Sequence, residues 1–232
     1  MNTTLMSMIK IKMSLFVLVL MLLAGCQETP TTQRSEQIQN EPQQTEFIIL
    51  ALGDSLTEGL GVAEDKNYPA ILQQNLHEKG YKNTRVVNAG LSGETSTGLL
   101  NRLDWVMQLE PDMTILNIGA NDAMRGLDLN LTEDNIRQII KTLHQNDSDV
   151  ILAGMEIYDN LGREYVTGFK DMYPRIADDL NVMLIPFFLQ GVAGQQQYNQ
   201  QDGIHPNHAG YQKIVSNTIL PTVLNYLNKK QS

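Results

Sequence analysis

The chain has one cysteine, Cys26, and one tryptophan in 232 residues. Without a second thiol there is no intrachain disulfide, so packing alone must hold the fold. Basic residues are scarce too: 17 Lys and Arg against 26 Asp and Glu give a formal net charge of −9. A nucleic-acid partner needs a basic face to neutralise phosphates, and this composition supplies none. No internal repeat stands out. The apolar run at residues 13–24 is about a dozen residues long, short of the roughly 20 that cross a bilayer as a helix. What is present is the balance of a globular domain, 42% apolar and 19% charged.

The apolar run "MSLFVLVLMLLA" follows Lys10 and Lys12 and ends in Leu23-Ala24-Gly25-Cys26. A basic start, an apolar stretch and a small-residue stop are the layout of a signal peptide over residues 1–25. Leu-Ala-Gly-Cys also resembles the bacterial lipobox. That resemblance implies cleavage before Cys26, a lipid on Cys26, and an exported protein anchored to a bacterial membrane, on its periplasmic side or at the cell surface. The alternative is an ordinary signal peptide cut near Ala24, which leaves Cys26 a free thiol. Loss of residues 1–25 removes two lysines and no acid, so the mature charge is −11. Residues 27–46 are rich in Gln, Thr, Glu and Pro, with Ile38 the one aliphatic side chain. They cannot bury a core, and with Cys26 they read as a lipidated, flexible tether reaching at most about 70 Å. The folded domain is expected over 47–232.

Within it, apolar runs at 47–52, 85–89, 112–119, 149–155 and 181–187 alternate with amphipathic stretches. Continuous rather than alternating runs suit parallel strands buried on both faces. Helices are expected over 67–80, stopped by Gly80; over 95–111; and over 131–146, with Thr132 as N-cap. A further helix over 163–180 is expected to kink at Pro174 or to begin late, and one over 207–228 to be interrupted at Pro221. Strand–helix alternation predicts an α/β fold, a sandwich around a five-stranded parallel sheet. Ligands then bind beyond the carboxyl ends of the strands.

Four of those ends carry polar residues: Gly53-Asp54-Ser55, "NAGLSGETS" at 88–96, "GAND" at 119–122 and "DGIHPN" at 202–207. Each alone is a turn, a glycine-rich loop or a lone His. Together they supply what acyl transfer by serine requires: a hydroxyl, a base to take its proton, an acid to orient the base, and donors for the oxyanion. The set Gly53-Asp54-Ser55-Leu56, Gly93, Gly119-Ala120-Asn121-Asp122 and Asp202-Gly203-Ile204-His205-Pro206 resembles the GDSL, or SGNH, hydrolase family. Its text is nearest to the bacterial thioesterase, protease and lysophospholipase group and to arylesterases. The resemblance implies a three-layer, flavodoxin-like α/β/α sandwich. It implies Ser55 as nucleophile, His205 as base and Asp202 as orienting acid. It also implies an oxyanion hole made by the Ser55 and Gly93 N–H groups and the Asn121 amide, with no metal and no cofactor. Gly90 is nearer to its strand, but the Ser-Gly-Glu-Thr-Ser context favours Gly93. Ala120 departs from the second Gly frequent in that group, and its methyl should narrow the pocket.

The implied substrates are small-molecule or lipid esters: aryl esters, short or medium acyl esters, or lysophospholipids. The alternatives are a carbohydrate O-deacetylase or an acyl thioesterase at the same site. Residues 156–165 and 187–201 are expected to shape the acyl pocket, with Met155, Ile157, Tyr158, Phe187, Phe188 and Leu189 apolar enough to hold a chain. Other chemistries fit less well. Thr57 breaks the Gly-x-Ser-x-Gly elbow of an α/β-hydrolase. Glu64 breaks a dinucleotide fingerprint begun by Gly59-x-Gly61. Asp202, His205 and His208 are a possible ligand triplet without further ligands nearby in sequence. A non-catalytic binding lipoprotein is the remaining reading, although none of the catalytic positions has been lost.

Overall fold

The computed structural model describes residues 46–158 and 160–230. The expected signal peptide, Cys26 and nearly all of the tether lie outside the described residues. The five apolar runs become five strands: β1 (Phe47–Gly53), β2 (Thr84–Gly90), β3 (Met113–Asn117), β4 (Asp149–Ala153) and β5 (Met183–Ile185). All pair in parallel, in the order β2-β1-β3-β4-β5. Burial explains the patterning. β1 and β3 lie inside the sheet, and from Ile49 to Leu52 and from Met113 to Asn117 every residue is buried, so neither face has room for polar alternation.

Parallel pairing needs crossovers, and helices supply them. On one side α2 (Tyr68–Glu78) packs with the C-terminal helices α7 (His208–Ile214) and α8 (Leu220–Lys230). On the other, α3 (Ser96–Met107) packs on α5 (Leu129–Gln145), and α5 on α6 (Arg163–Leu180). This is the three-layer α/β/α sandwich that the alternation implies. The chain runs outward from β1 to β2 and returns across β1 to β3. The strand order therefore reverses there, and a crevice opens at the carboxyl ends of β1 and β3.

The helix ends show where local chemistry departs from the pattern. Asn67 caps α2 by accepting from the Ala70 N–H at 3.0 Å, and Gly80, at φ +97°, ends it. The Gly80 and Tyr81 N–H groups bond back to the His77 and Leu76 carbonyls, a left-handed closure that a β-carbon would strain. α5 begins at Leu129 rather than after Thr132. Asp128 takes the cap, accepting from the Asn130 and Leu131 N–H groups at 2.7 and 3.3 Å. Thr132 instead lies one turn inside, its hydroxyl donating to the Asp128 carbonyl at 3.1 Å. α6 is neither late nor broken: it runs through Pro174, which sits on its exposed side. Pro221 falls just after a π-helical turn at Val215–Ile219, in the first turn of α8, where its missing N–H disturbs least.

Two short helices have no counterpart in the sequence pattern: α1 (Ser55–Glu58) and α4 (Ala120–Met124). Each begins just beyond the carboxyl end of one of the two central strands.

Candidate active site

The end of β1 is closely packed. A β-carbon on Gly53 would meet the Asn117 carbonyl oxygen at 2.1 Å and Thr57 Oγ1 at 2.5 Å, so only glycine lets β3 and α1 approach this strand end. Asp54 then caps α1, its Oδ1 accepting from the Leu56 N–H at 3.0 Å. Ser55 is thereby the first residue of a helix of one turn, its backbone fixed and its side chain at the crevice.

Across 150 residues of sequence, His205 reaches Ser55: Oγ and Nε2 are 2.9 Å apart. His205 Nδ1 lies 2.7 Å from Asp202 Oδ2. A carboxylate only accepts, so Nδ1 carries the ring proton and Nε2 is left to accept from the serine hydroxyl. Asp202 is held in turn by the Ile204 and His205 N–H groups, which donate to Oδ1 at 2.9 and 3.0 Å. Partial burial pushes the Asp202 carboxyl up, but the hydrogen bonds from the His205 ring and from the two backbone N–H groups outweigh it and bring it down to about 2. It is an anion at any ordinary pH, fit to orient an imidazole and to balance its charge when protonated.

Of the oxyanion candidates, Ser55 and Asn121 line the same crevice as His205, and Gly93 lies on the loop after the neighbouring strand β2. In the sheet Gly53 is level with Gly90 on β2 and with Asn117 on β3. Ser55, Gly93 and Asn121 therefore leave three adjacent strands from the same height. Asn121, buried in α4, donates its amide to Asp54 Oδ2 at 3.4 Å. The loop with Gly93 is tied to both short helices. Arg125, just past α4, donates to the Gly93 carbonyl at 2.6 Å, and Glu58 of α1 accepts from the Ser92 N–H at 2.8 Å and from the Ser92 hydroxyl. Buried Asp122 adds a second clamp, accepting from the Ser96 N–H at 2.8 Å and its hydroxyl at 2.6 Å. Glu94 pairs with Arg102 at 2.5 Å, and Arg102 also donates to the Ala89 carbonyl. Gly90 is packed against α1, where a β-carbon would strike the Glu58 nitrogen at 2.1 Å.

Sequence reasoning missed Asp54, Asp122, Arg125 and Glu58. Asp54 and Asp122 do stand inside the quoted blocks, next to Ser55 and Asn121, and their partners are what only the fold reveals. Burial pushes the Asp54 carboxyl up to about 6, against the lowering effect of the Leu56 N–H, His205 and the Asn121 amide.

Ser55, Asn121 and His205 open into a cavity of about 520 Å³. Met155, Ile157, Tyr158, Phe187 and Leu189 line it as expected, and Ala120 does project into it. Phe188 does not: it is fully buried and packs edge-on against Tyr68, with ring centroids 5.4 Å apart. Successive residues face opposite ways there, so Phe187 and Phe188 divide between cavity and core. Met124, from the end of the one-turn helix α4, and Leu161, Ala193 and Ile204, from loops, line the cavity as well, and none has an apolar period to reveal it. His208 lies elsewhere, in a groove with Lys66 and Lys213, its Nδ1 3.5 Å from the Lys66 carbonyl. The triplet Asp202, His205 and His208 is therefore not brought together. Among the described residues no group of three or more His, Cys, Asp or Glu is placed to hold a metal ion.

Comparison with known proteins converges on one family. The profile of the GDSL-like lipase/acylhydrolase family matches residues 51–213. Esterase TesA of Pseudomonas aeruginosa is 35% identical over 176 residues, 75% of this chain and 87% of that protein. The thioesterase 1/protease 1/lysophospholipase L1 of Escherichia coli is 36% identical over 160 residues, 68% of this chain and 75% of its own length. Among solved structures, the psychrotrophic esterase EstA of Pseudoalteromonas, inhibited by monoethylphosphonate, superposes with a TM-score of 0.74. It is 29% identical, and the match covers 79% of this chain and all of EstA.

Proposed function

Because the chain belongs to the GDSL-like lipase/acylhydrolase family and is an ester hydrolase, we propose that it cleaves carboxylic esters through an acyl-enzyme on Ser55. The observation behind this reading is the unbroken relay from Ser55 Oγ through the His205 ring to Asp202, with contacts of 2.9 and 2.7 Å. Ser55 Oγ attacks the ester carbonyl while His205 Nε2 takes its proton. The carbonyl oxygen becomes an oxyanion, received by the Ser55 and Gly93 N–H groups and the Asn121 amide. The C–O bond to the alcohol breaks, and the alcohol leaves with the proton from His205. Water, deprotonated by the same imidazole, then releases the acid and restores Ser55.

The cavity argues for an acyl group of short or medium length, since its lining is largely apolar and its 520 Å³ lies within the usual range for a small-molecule site. Aryl esters and lysophospholipids both present such a group. We further propose export and a lipid anchor on Cys26, on the strength of the sequence at 10–26. A protein so placed rarely meets acyl-CoA, which favours oxygen esters over thioesters.

The test is hydrolysis of p-nitrophenyl butyrate by wild type, Ser55→Ala and His205→Ala. Each substitution should lower kcat by at least about 10³-fold without unfolding the protein. Near-wild-type kcat in either variant would remove that residue from the proposed relay, and an inactive wild type would leave the binding-lipoprotein alternative.

A further inference from the structure

Among the described residues, eight large apolar side chains stand exposed. Two of them, Trp105 and Leu131, lie on helices α3 and α5. The other six lie at the carboxyl end of the sheet, Met124 as the last residue of α4 and Leu60, Leu91, Tyr158, Leu161 and Ile204 on loops. Met124, Tyr158, Leu161 and Ile204 belong to the mouth of the cavity. Leu60 and Leu91 lie on the β1 and β2 side: the Leu60 N–H donates to the Ser55 carbonyl at 3.1 Å, and the Leu91 N–H to the Gly53 carbonyl at 2.9 Å. Six of eight exposed large apolar side chains gathered at one end of the sheet mark a contact surface.

We propose that this rim docks the enzyme on the surface of a neutral or zwitterionic lipid aggregate, from which the acyl chain passes directly into the cavity. The proposal rests on the reading of Ser55 as the reacting group. Continuity of surface selects the occupant. Met124, Tyr158, Leu161 and Ile204 belong both to the exposed rim and to the largely apolar lining of a cavity that holds part of an acyl chain, so what sits on the rim is the medium the chain comes from. Amphiphiles at the longer end of the short-to-medium acyl range gather at lipid surfaces, because each buried CH2 adds to their partition out of water. A second copy of this chain seated on the same rim would close the cavity to its substrate. Charge sets the kind of surface. Glu156, paired with Lys170, lines the opening, Asp202 holds His205 beside it, and the chain as a whole carries −9, so an anionic headgroup layer is repelled.

The experiment compares the full-length wild type with the Leu60→Gln/Leu91→Gln double variant, because neither leucine lines the cavity. Two substrates are used: monomeric p-nitrophenyl butyrate, and p-nitrophenyl decanoate carried in phosphatidylcholine vesicles. The variant should keep its rate on the monomer within about twofold, which shows an intact fold and site. Its rate on the vesicle-borne ester should fall about fivefold or more, the effect of removing two apolar contacts from an interfacial surface. In wild type, replacing phosphatidylcholine by phosphatidylglycerol should lower the vesicle rate. An unchanged ratio of vesicle to monomer rates in the variant overturns the proposal, as does a preference for phosphatidylglycerol. So does a sedimentation measurement in which the two substitutions split a dimer, which would assign the rim to a second copy. Failure of the underlying reading is distinct: Ser55→Ala would then still hydrolyse the monomeric ester.

Discussion

Asp54 is the residue whose cost and use can be separated. Its carboxyl is buried, yet it accepts from the Leu56 N–H and from the Asn121 amide, so it both caps α1 and aims an oxyanion candidate. Burial raises it from 3.8 to about 6. Below pH 3.8 the group is neutral in both folded and unfolded chains. Between there and about pH 6 the unfolded chain gives up the proton while the folded one keeps it, so this group makes stability fall as pH rises. Above that window the cost is constant, on the order of 3 kcal/mol. Asp202 has the opposite sign in a lower window. Its folded value is depressed from 3.8 to about 2, so its contribution is present above 3.8 and lost as pH falls through about 2. Asp54→Asn should therefore flatten the decline in melting temperature between pH 4 and pH 7. An amide has one acceptor oxygen for two donors, so Asn121 loses its anchor and kcat should fall about tenfold or more. Melting curves at the two pH values, with kcat on a monomeric ester, check both. An unchanged pH slope would mean that Asp54 is not the buried acid responsible.

Helix α6 carries a local penalty that the fold tolerates. Pro174 lies well inside its 18 residues, donates nothing to the Lys170 carbonyl, and crowds the preceding turn. Phe169, Met172, Tyr173, Ile176 and Ala177 are buried on the other face, and that burial keeps the helix continuous. Pro174→Ala should restore the missing bond at an exposed position and stabilise by about 1–3 kcal/mol, less the entropy that proline removes from the unfolded chain. A rise of a few degrees in melting temperature is the expected reading; a fall would mean that the proline's shape is used. The same element shows what the sequence can and cannot say. Proline predicts trouble at 174 correctly but not its outcome, which depends on how much of the helix is buried. Strands were legible because β1 and β3, buried on both sides, leave unbroken apolar runs. The short helices α1 and α4 were not, since four or five residues hold no period, and their residues read as loop. Thr132 reads as a cap by type, but Asp128 stands at the true end of the helix with a charge to offer its N–H groups. Ser55, Asn121, Asp202 and His205 were legible as motifs at strand ends. Asp122, Arg125 and Glu58 were not, because their partners lie 26 to 34 residues away in sequence.

At the scale of the whole molecule the two termini make opposite demands. The sheet, both helical layers and the cavity are built from residues within 46–230. Glu46 adds only an exposed pair with Arg85, worth little in water. The C-terminal end is different. Leu220, Val223 and Leu227 of α8 are buried, Tyr226 bonds to Asp149 at the start of β4, and Tyr81 donates to Asn228 at 2.7 Å. Three buried aliphatic side chains alone contribute roughly 5 kcal/mol or more, comparable with the whole stability of a domain of this size. A chain starting at residue 44 should therefore keep its melting temperature and its kcat on a monomeric ester within about twofold, while one ending at Ile219 should not fold. If Cys26 bears the proposed lipid, the shortened chain should also move from the membrane fraction to the soluble one with its chemistry intact. A membrane-bound chain lacking residues 1–43 would assign the attachment to the folded domain instead, and loss of activity in that chain would place part of the catalytic unit upstream of β1.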